Sequence, residues 1–384
     1  MFASRTGWAL APNRFSAALE RHRAAGREVL DLAESNPTRC GFTYDPALLS
    51  LLSVQGGLSY SPHPLGLRSA RDSVCSYYRQ LGATVVPEQV LLTAGTSEGY
   101  SFLFRLLCDP GAEVLVPAPS YPLFEFLASI QDVRLASYPL FYDHGWYFDL
   151  HALEAAIGPS TRALLVVHPN NPTGSFVQSR EMEALGELCE ARGLALVADE
   201  VFLDYVHNGP ARASFASTRR GLTFTLSGVS KICALPQMKL AWIVTRGAPE
   251  LTRQALARLE VIADTYLSVS TPGQLALPGF LDGREKIQTQ VRDRITANLA
   301  ELDQQLAAQK LIRRLEIEGG WYAVLRVPIL RPDEDLVIAL LEQHSVLVHP
   351  GHFYDFPGDG YLVVSLITPA DAFAEGIRRV LTNL

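Results

Sequence analysis

Lysine is almost missing from this chain. Of 33 basic residues in 384, the lysines are Lys231, Lys239, Lys286 and Lys310. Two of them lie eight residues apart in a mostly uncharged segment, which makes Lys231 and Lys239 the first candidates for amine chemistry. Cysteine is sparse too: Cys40, Cys75, Cys108, Cys189 and Cys233 are scattered and odd in number. No pair has zinc-ligand spacing, so five reduced thiols are expected, with no metal and no disulfide framework. A run of like positive charge is also lacking, and the net charge is -7 with a pI near 5.8. Nucleic acid is therefore not an expected partner. No apolar stretch is long enough to cross a bilayer, and Met1–Gly7 lacks the apolar core of a signal peptide. The expectation is a cytoplasmic protein with no membrane partner. There are no internal repeats and no low-complexity linkers.

What is present is a globular composition, 48% hydrophobic and 19% charged. The length suits a sizeable core and two lobes. From about residue 90 the pattern alternates strand and helix. Val90–Thr93, Glu113–Val116, Ala163–Val167, Leu194–Ala198, Thr223–Leu226 and Leu240–Val244 are short apolar runs. Continuous runs of this kind suit parallel strands covered on both faces. Ser179–Arg192 has helical spacing, with Gly193 as its stop. The expected fold class is α/β, a mostly parallel seven-stranded central sheet sandwiched by helices. Beyond about residue 250 come helical stretches at Pro249–Tyr266 and Gly283–Gln309. Strand candidates follow at Trp321–Val327, Ser345–Val348 and Tyr361–Leu366. This predicts a smaller α+β lobe, residues 1–44 plus 276–384, beside a large lobe of residues 45–275.

Four polar clusters each follow a predicted strand, where open parallel sheets place their ligands. Thr93-Ala94-Gly95-Thr96-Ser97-Glu98 opens a helix. Free backbone N–H groups and hydroxyls there make either a phosphate cradle or an ordinary helix cap. His168-Pro169-Asn170-Asn171-Pro172-Thr173-Gly174 is a rigid turn that fixes the direction of its Asn side chains. Asp199 closes a buried strand, and its carboxylate requires a cationic or donating partner, whether in a structural ion pair or in a site. Lys231 follows Ser227-Gly228-Val229-Ser230 in apolar surroundings. Desolvation there lowers an amine's pKa and makes it nucleophilic, where a surface lysine would stay charged.

In their order, these clusters resemble the fold-type I pyridoxal-phosphate-dependent aminotransferases of classes I and II, with the aspartate aminotransferase-like fold. Glu34-Ser35-Asn36-Pro37, the Tyr60, Gly66 and Arg68 segment, and Pro119-Ser120-Tyr121 sit in the same family order. The resemblance covers nearly the whole chain. It implies that Lys231 carries pyridoxal 5'-phosphate as a Schiff base and then serves as acid and base. It implies that Asp199 pairs with the pyridine nitrogen, Asn171 with the ring oxygen, and that Tyr121 stacks on the ring. Gly95, Thr96, Ser97, Ser230 and Lys239 would hold the phosphate. Tyr60 would reach it from a second subunit, which implies a homodimer with shared sites. The implied reaction is transamination between an amino acid or amine donor and a 2-oxo acid. A lyase or decarboxylase on the same scaffold is the alternative, and a cofactor-binding protein without activity is a third.

Three departures from the family pattern stand out. Phe202 replaces a Tyr three residues after the ring-nitrogen Asp. Lys239 replaces a phosphate Arg, keeping the charge and losing the bidentate fork. Val363, in Gly360-Tyr361-Leu362-Val363-Val364-Ser365, occupies the place of the Arg that clamps a substrate carboxylate, which valine cannot do. The substrate-binding candidates are then Arg326 first, Arg39 second, and Asn36 beside it. His349 and His352 are further pocket candidates.

Overall fold

The computed structural model describes residues 1–122 and 124–384. Its large sheet is built from β1 (Val90–Thr93), β2 (Glu113–Ala118), β3 (Arg134–Tyr142), β4 (Trp146–Phe148), β5 (Thr161–Val167), β6 (Ala195–Asp199), β7 (Leu222–Gly228) and β8 (Ala241–Gly247). The strand order is β1-β8-β7-β6-β5-β2-β3-β4. Strands β7, β6, β5, β2 and β3 run parallel, while β8 is antiparallel to both β1 and β7. The sheet thus has eight strands where seven were expected. The additional short strand, β4, hairpins back on β3 through His144 and Gly145, both at positive φ. Strand β3 is an edge-side element of mixed exposure, so it carries no continuous apolar run that would advertise it.

Continuous runs elsewhere have the cause the sequence suggests: both sheet faces are covered. Val114, Val116, Leu165, Val197 and Ile243 pack beneath helices Thr96–Leu107 and Pro249–Tyr266. The alternate residues Leu115, Leu164, Val166 and Leu196 pack on the helix Ser179–Arg192. That helix stops at Gly193 in the left-handed conformation, φ 66°, which costs a glycine nothing.

The second core gathers Phe15 and Leu32 with Ile287, Trp321, Val324, Leu340, Val364 and Ile377. It surrounds an antiparallel sheet of β9 (Arg313–Arg314), β10 (Tyr322–Arg326), β11 (His349–Pro350) and β12 (Tyr361–Ser365), in the order β9-β10-β12-β11. Leu30–Asp31 pairs in parallel with Val346–Leu347, tying the start of the chain to this lobe. A helix at Thr271–Asp282 precedes the long Arg284–Leu306 helix. Pro272 stands in the first turn of that helix, where proline is favoured.

Strand register places the polar clusters together. Thr93 and Gly228 both face Ala241, and the N–H of Val229 donates to the Leu240 carbonyl at 3.0 Å. The turn before Thr96, the segment leading to Lys231, and Lys239 therefore share one end of the sheet. Gly228 makes this possible: a Cβ on it would lie 2.7 Å from Ala241 Cβ and 2.9 Å from the Leu240 carbonyl oxygen. Gly228→Ala is expected to force the β7–β8 pair apart and destabilise the fold by about 1–3 kcal/mol. Thermal unfolding of the variant checks this, and an unchanged Tm rules out the tight approach.

Candidate active site

Asp199 ends β6 beside Val167 of β5 and Leu226 of β7. The Glu200 N–H donates to the Leu226 carbonyl, and the His168 N–H to the Asp199 carbonyl, both at 2.8 Å. The chain therefore leaves three neighbouring parallel strands at one place, and a cleft opens there. It encloses about 580 Å³ and is lined by Thr96, Tyr121, Asn171, Asp199, Ser230 and Lys231 from the large lobe, with Ser35 and Tyr322 from the small one. Phe124, Val167, Val201 and Phe202 complete an apolar wall.

Lys231 sits at the foot of this cleft, half-buried. Its Nζ is 4.8 Å from the centre of the Trp321 ring and 5.4 Å from that of Phe202, within cation–π range. Burial lowers the amine's pKa from the ordinary 10.5 to about 8, and the negative charge of Asp199 opposes that shift. The segment carrying Lys231 is pinned through its carbonyls. Tyr205 Oη donates to the Lys231 carbonyl at 2.8 Å, Gln288 Nε2 to that of Ile232 at 2.8 Å, and Tyr44 Oη to that of Ala234 at 2.9 Å.

Burial raises the pKa of Asp199, and donors at both oxygens offset this. Tyr100 Oη donates to Oδ2 at 2.7 Å and the Val201 N–H to Oδ1 at 3.1 Å. Asn171 lines the cleft, and its buried Oδ1 has no protein partner. Neighbouring Asn170 has a different task, accepting from Thr173 Oγ1 at 3.0 Å within the turn. The helix Thr96–Leu107 begins at the cleft wall, with Gly95 as its N-cap. Its first intrahelical bond runs from the Gly99 N–H to the Gly95 carbonyl, so the amides of Thr96, Ser97 and Glu98 precede the ladder.

Of the residues singled out in the sequence, Thr96, Tyr121, Asn171, Asp199, Ser230 and Lys231 line the cleft. Gly95 and Ser97 flank Thr96, and exposed Lys239 lies at the same sheet end. Tyr60 is 72% exposed and is not among the lining residues. Neither are the three substrate-binding candidates. Arg326 Nη1 donates to the carbonyls of Asp359 and Gly360, with its guanidinium 4.2 Å from the Tyr361 ring centre. Arg39 is exposed, 3.9 Å from Glu34. Asn36 caps its own turn by accepting from the Thr38 N–H and hydroxyl. His349 Nδ1 is 3.0 Å from Tyr354 Oη, and His352 is exposed. Val363 is fully buried. Tyr100, Tyr205, Ser35 and Tyr322 were not singled out. Ser35 lies within Glu34-Ser35-Asn36-Pro37, whereas the tyrosines reach their positions only through the tertiary fold.

The donor set fits pyridoxal phosphate. Asp199 keeps free lone pairs for a pyridine N–H, Asn171 has an unpartnered amide, the helix start suits a phosphate, and Lys231 offers an amine of depressed pKa. In protein freed of the cofactor, reaction of Lys231 with an acylating reagent, followed by mass spectrometry, should titrate with a midpoint near 8. Asp199→Asn removes the negative charge that stabilises the ammonium, so the midpoint should fall further. A midpoint near 10.5 would show the amine to be solvated.

Comparison with known proteins agrees with this geometry. Residues 28–372 match the family model for aminotransferase class I and II. Glutamate-pyruvate aminotransferase AlaA of Haemophilus influenzae is 27% identical over 361 residues, 89% of this chain and 87% of that protein. Alanine aminotransferase of Mycobacterium tuberculosis is 27% identical over 380 residues, 94% of this chain and 86% of that one. Among solved structures, alanine aminotransferase from Pyrococcus furiosus superposes with a TM-score of 0.90 at 21% identity, covering 99% of this chain and 98% of the other. The chain belongs to the class I and II aminotransferases, enzymes that use pyridoxal 5'-phosphate.

Proposed function

We propose that this aminotransferase moves an amino group from a small amino acid with an uncharged side chain, alanine in type, to a 2-oxo acid. The observation that carries the reading is the cleft wall. Tyr121, Phe124, Val201, Phe202 and Tyr322 make it apolar, and among the described residues lining it Lys231 is the one cation. A donor with a second carboxylate finds no second counter-charge among the described residues that line the cleft. The names of the relatives, glutamate-pyruvate and alanine aminotransferase, point the same way for one substrate of the pair.

Pyridoxal phosphate, when bound, supplies the electron withdrawal that makes the donor's Cα–H acidic. The chain's own residues do the rest in this proposal. Lys231 holds the cofactor, and its Nζ then takes the Cα proton and returns one in the reverse half-reaction. A pKa of about 8 suits that work, because both protonation states are populated near neutrality. Asp199 orients and charges the pyridine nitrogen, Asn171 holds the ring oxygen, and Tyr121 covers the ring. Thr96, Ser97, Gly95, Ser230 and Lys239 surround the phosphate. Tyr205 and Tyr100 are positioning residues, acting through Lys231 and Asp199. We assign the lobes to residues 45–275 and to 1–44 with 276–384; most of the second lobe shares one core, which Phe202, Tyr205 and Ala234 also enter, whereas Ala276, Leu277, Phe280 and Leu281 pack with Val74 and Trp242 of the first.

Holoenzyme mixed with alanine and no oxo acid should release pyruvate in an amount equal to the cofactor, without free ammonia or carbon dioxide. Adding a 2-oxo acid should restart release, and Lys231→Ala should abolish it. Ammonia or carbon dioxide in place of retained nitrogen would turn the assignment to a lyase or a decarboxylase.

No helix among the described residues is long and apolar enough to cross a membrane. Five free cysteines support a cytoplasmic setting. The proposal includes a homodimer, supported by Leu58, Tyr60 and Leu267, which are 90%, 72% and 66% exposed. In it the partner subunit's Tyr60 completes the phosphate site. Light scattering should give twice the chain mass of 42.1 kDa, and Tyr60→Phe should weaken cofactor retention. A fully active monomer would remove Tyr60 from the site.

A further inference from the structure

The small lobe offers the cleft one sheet face, and its register shows which strand residues share the side of Tyr322. Opposed residues in antiparallel strands share a face, as do residues two apart. Tyr322 opposes Ser365, Val324 opposes Val363, Arg326 opposes Tyr361, and Val363 also opposes His349. These seven residues therefore lie on the face that carries Tyr322 into the cleft.

None of the basic groups on that face is presented as a cation. Arg326 is turned onto the carbonyls of Asp359 and Gly360. His349 is packed edge-on to Phe15, with ring centres 6.3 Å apart, and shares a hydrogen bond with Tyr354. Burial lowers its pKa to about 4, so it is neutral at physiological pH. Between them stands Val363. What the lobe does offer the cleft is two hydroxyls, those of Tyr322 and Ser35, which lie against each other. Burial raises the Tyr322 pKa, so its phenol remains a neutral donor throughout the working range.

We propose that Ser35 and Tyr322 form the receptor for the substrate's carboxyl group, two neutral hydroxyl donors where related enzymes place an arginine. The proposal rests on the transamination reading for its substrate, and it makes a distinct claim about selectivity. A neutral hydrogen bond contributes about three- to tenfold in binding, well below a charge-assisted bidentate pair. The enzyme should therefore tolerate a donor with no carboxylate at all. Ethylamine, which is alanine without its carboxyl group, should react with kcat/KM within about 100-fold of alanine, not the ~10⁴-fold or more of a site built around a strong anchor.

The test uses holoenzyme and propionate, which is alanine without its amino group, titrated by calorimetry alongside turnover of alanine and ethylamine. Tyr322→Phe and Ser35→Ala should each weaken propionate about three- to tenfold and lower kcat/KM for alanine by a similar factor. In both variants the ratio of kcat/KM for alanine to that for ethylamine should fall about three- to tenfold. A merely structural role would lower both donors together, and that result overturns the proposal. Propionate binding unchanged in both variants overturns it as well, as does loss confined to Arg326→Gln or Arg39→Gln. If wild-type enzyme releases no pyruvate from alanine, the reading of an alanine-type donor fails, and the propionate titration still decides the receptor.

Discussion

An amine buried at the foot of a cleft is the constraint around which this molecule is arranged. Lys231 is taken far enough from water to lower its pKa to about 8, at a cost in free energy that its surroundings must offset. The Trp321 and Phe202 ring faces and the field of Asp199 stabilise the charged form in part. Phe202 gives the amine an aromatic face and no hydroxyl. The backbone beneath the lysine is held separately, by Tyr205, Gln288 and Tyr44, each donating to a carbonyl of the segment.

Those same contacts join the lobes. Trp321 belongs to the small lobe, and Gln288 to the long helix leading into it. Gly174, at the end of the Asn-bearing turn, accepts at its carbonyl from the N–H groups of Glu318 and Gly319. A Cβ at Gly174 would lie 2.5 Å from the Gly319 carbonyl oxygen, and its φ of +70° suits glycine alone. The turn that aims Asn171 into the cleft is thus also the place where the small lobe docks, two residues before Trp321. Cofactor geometry and lobe docking depend on one short segment.

The carboxylate end of the cleft follows a different logic from the cofactor end. Around Asp199 and Lys231 the fold uses charge in a low-dielectric setting. Opposite them it uses hydroxyls, with Val363 in the strand position where an arginine is usual. The face is crowded with aromatic and aliphatic groups, Phe15 and Phe353 packing on His349 and Tyr361 on Arg326. A guanidinium placed at 363 would have to be desolvated in this packing, a cost that valine avoids.

The sequence by itself determined the elements whose information is local. Continuous apolar runs marked parallel strands, helical spacing ending at Gly193 marked Ser179–Arg192, and polar residues just beyond strands marked Thr96, Asn171, Asp199 and Lys231. Each depends on neighbours a few positions away, so a linear reading captures it. The tertiary structure alone decided what depends on distant partners. Tyr100 reaches Asp199 across 99 positions and Tyr205 reaches the Lys231 carbonyl across 26. Arg326, the first candidate for the substrate, is drawn to carbonyls 33 and 34 positions on, while Tyr322 four positions earlier enters the cleft. Alternation along β10 put both on one face, but side-chain direction within a face is set by the groups that the tertiary fold brings beside each residue.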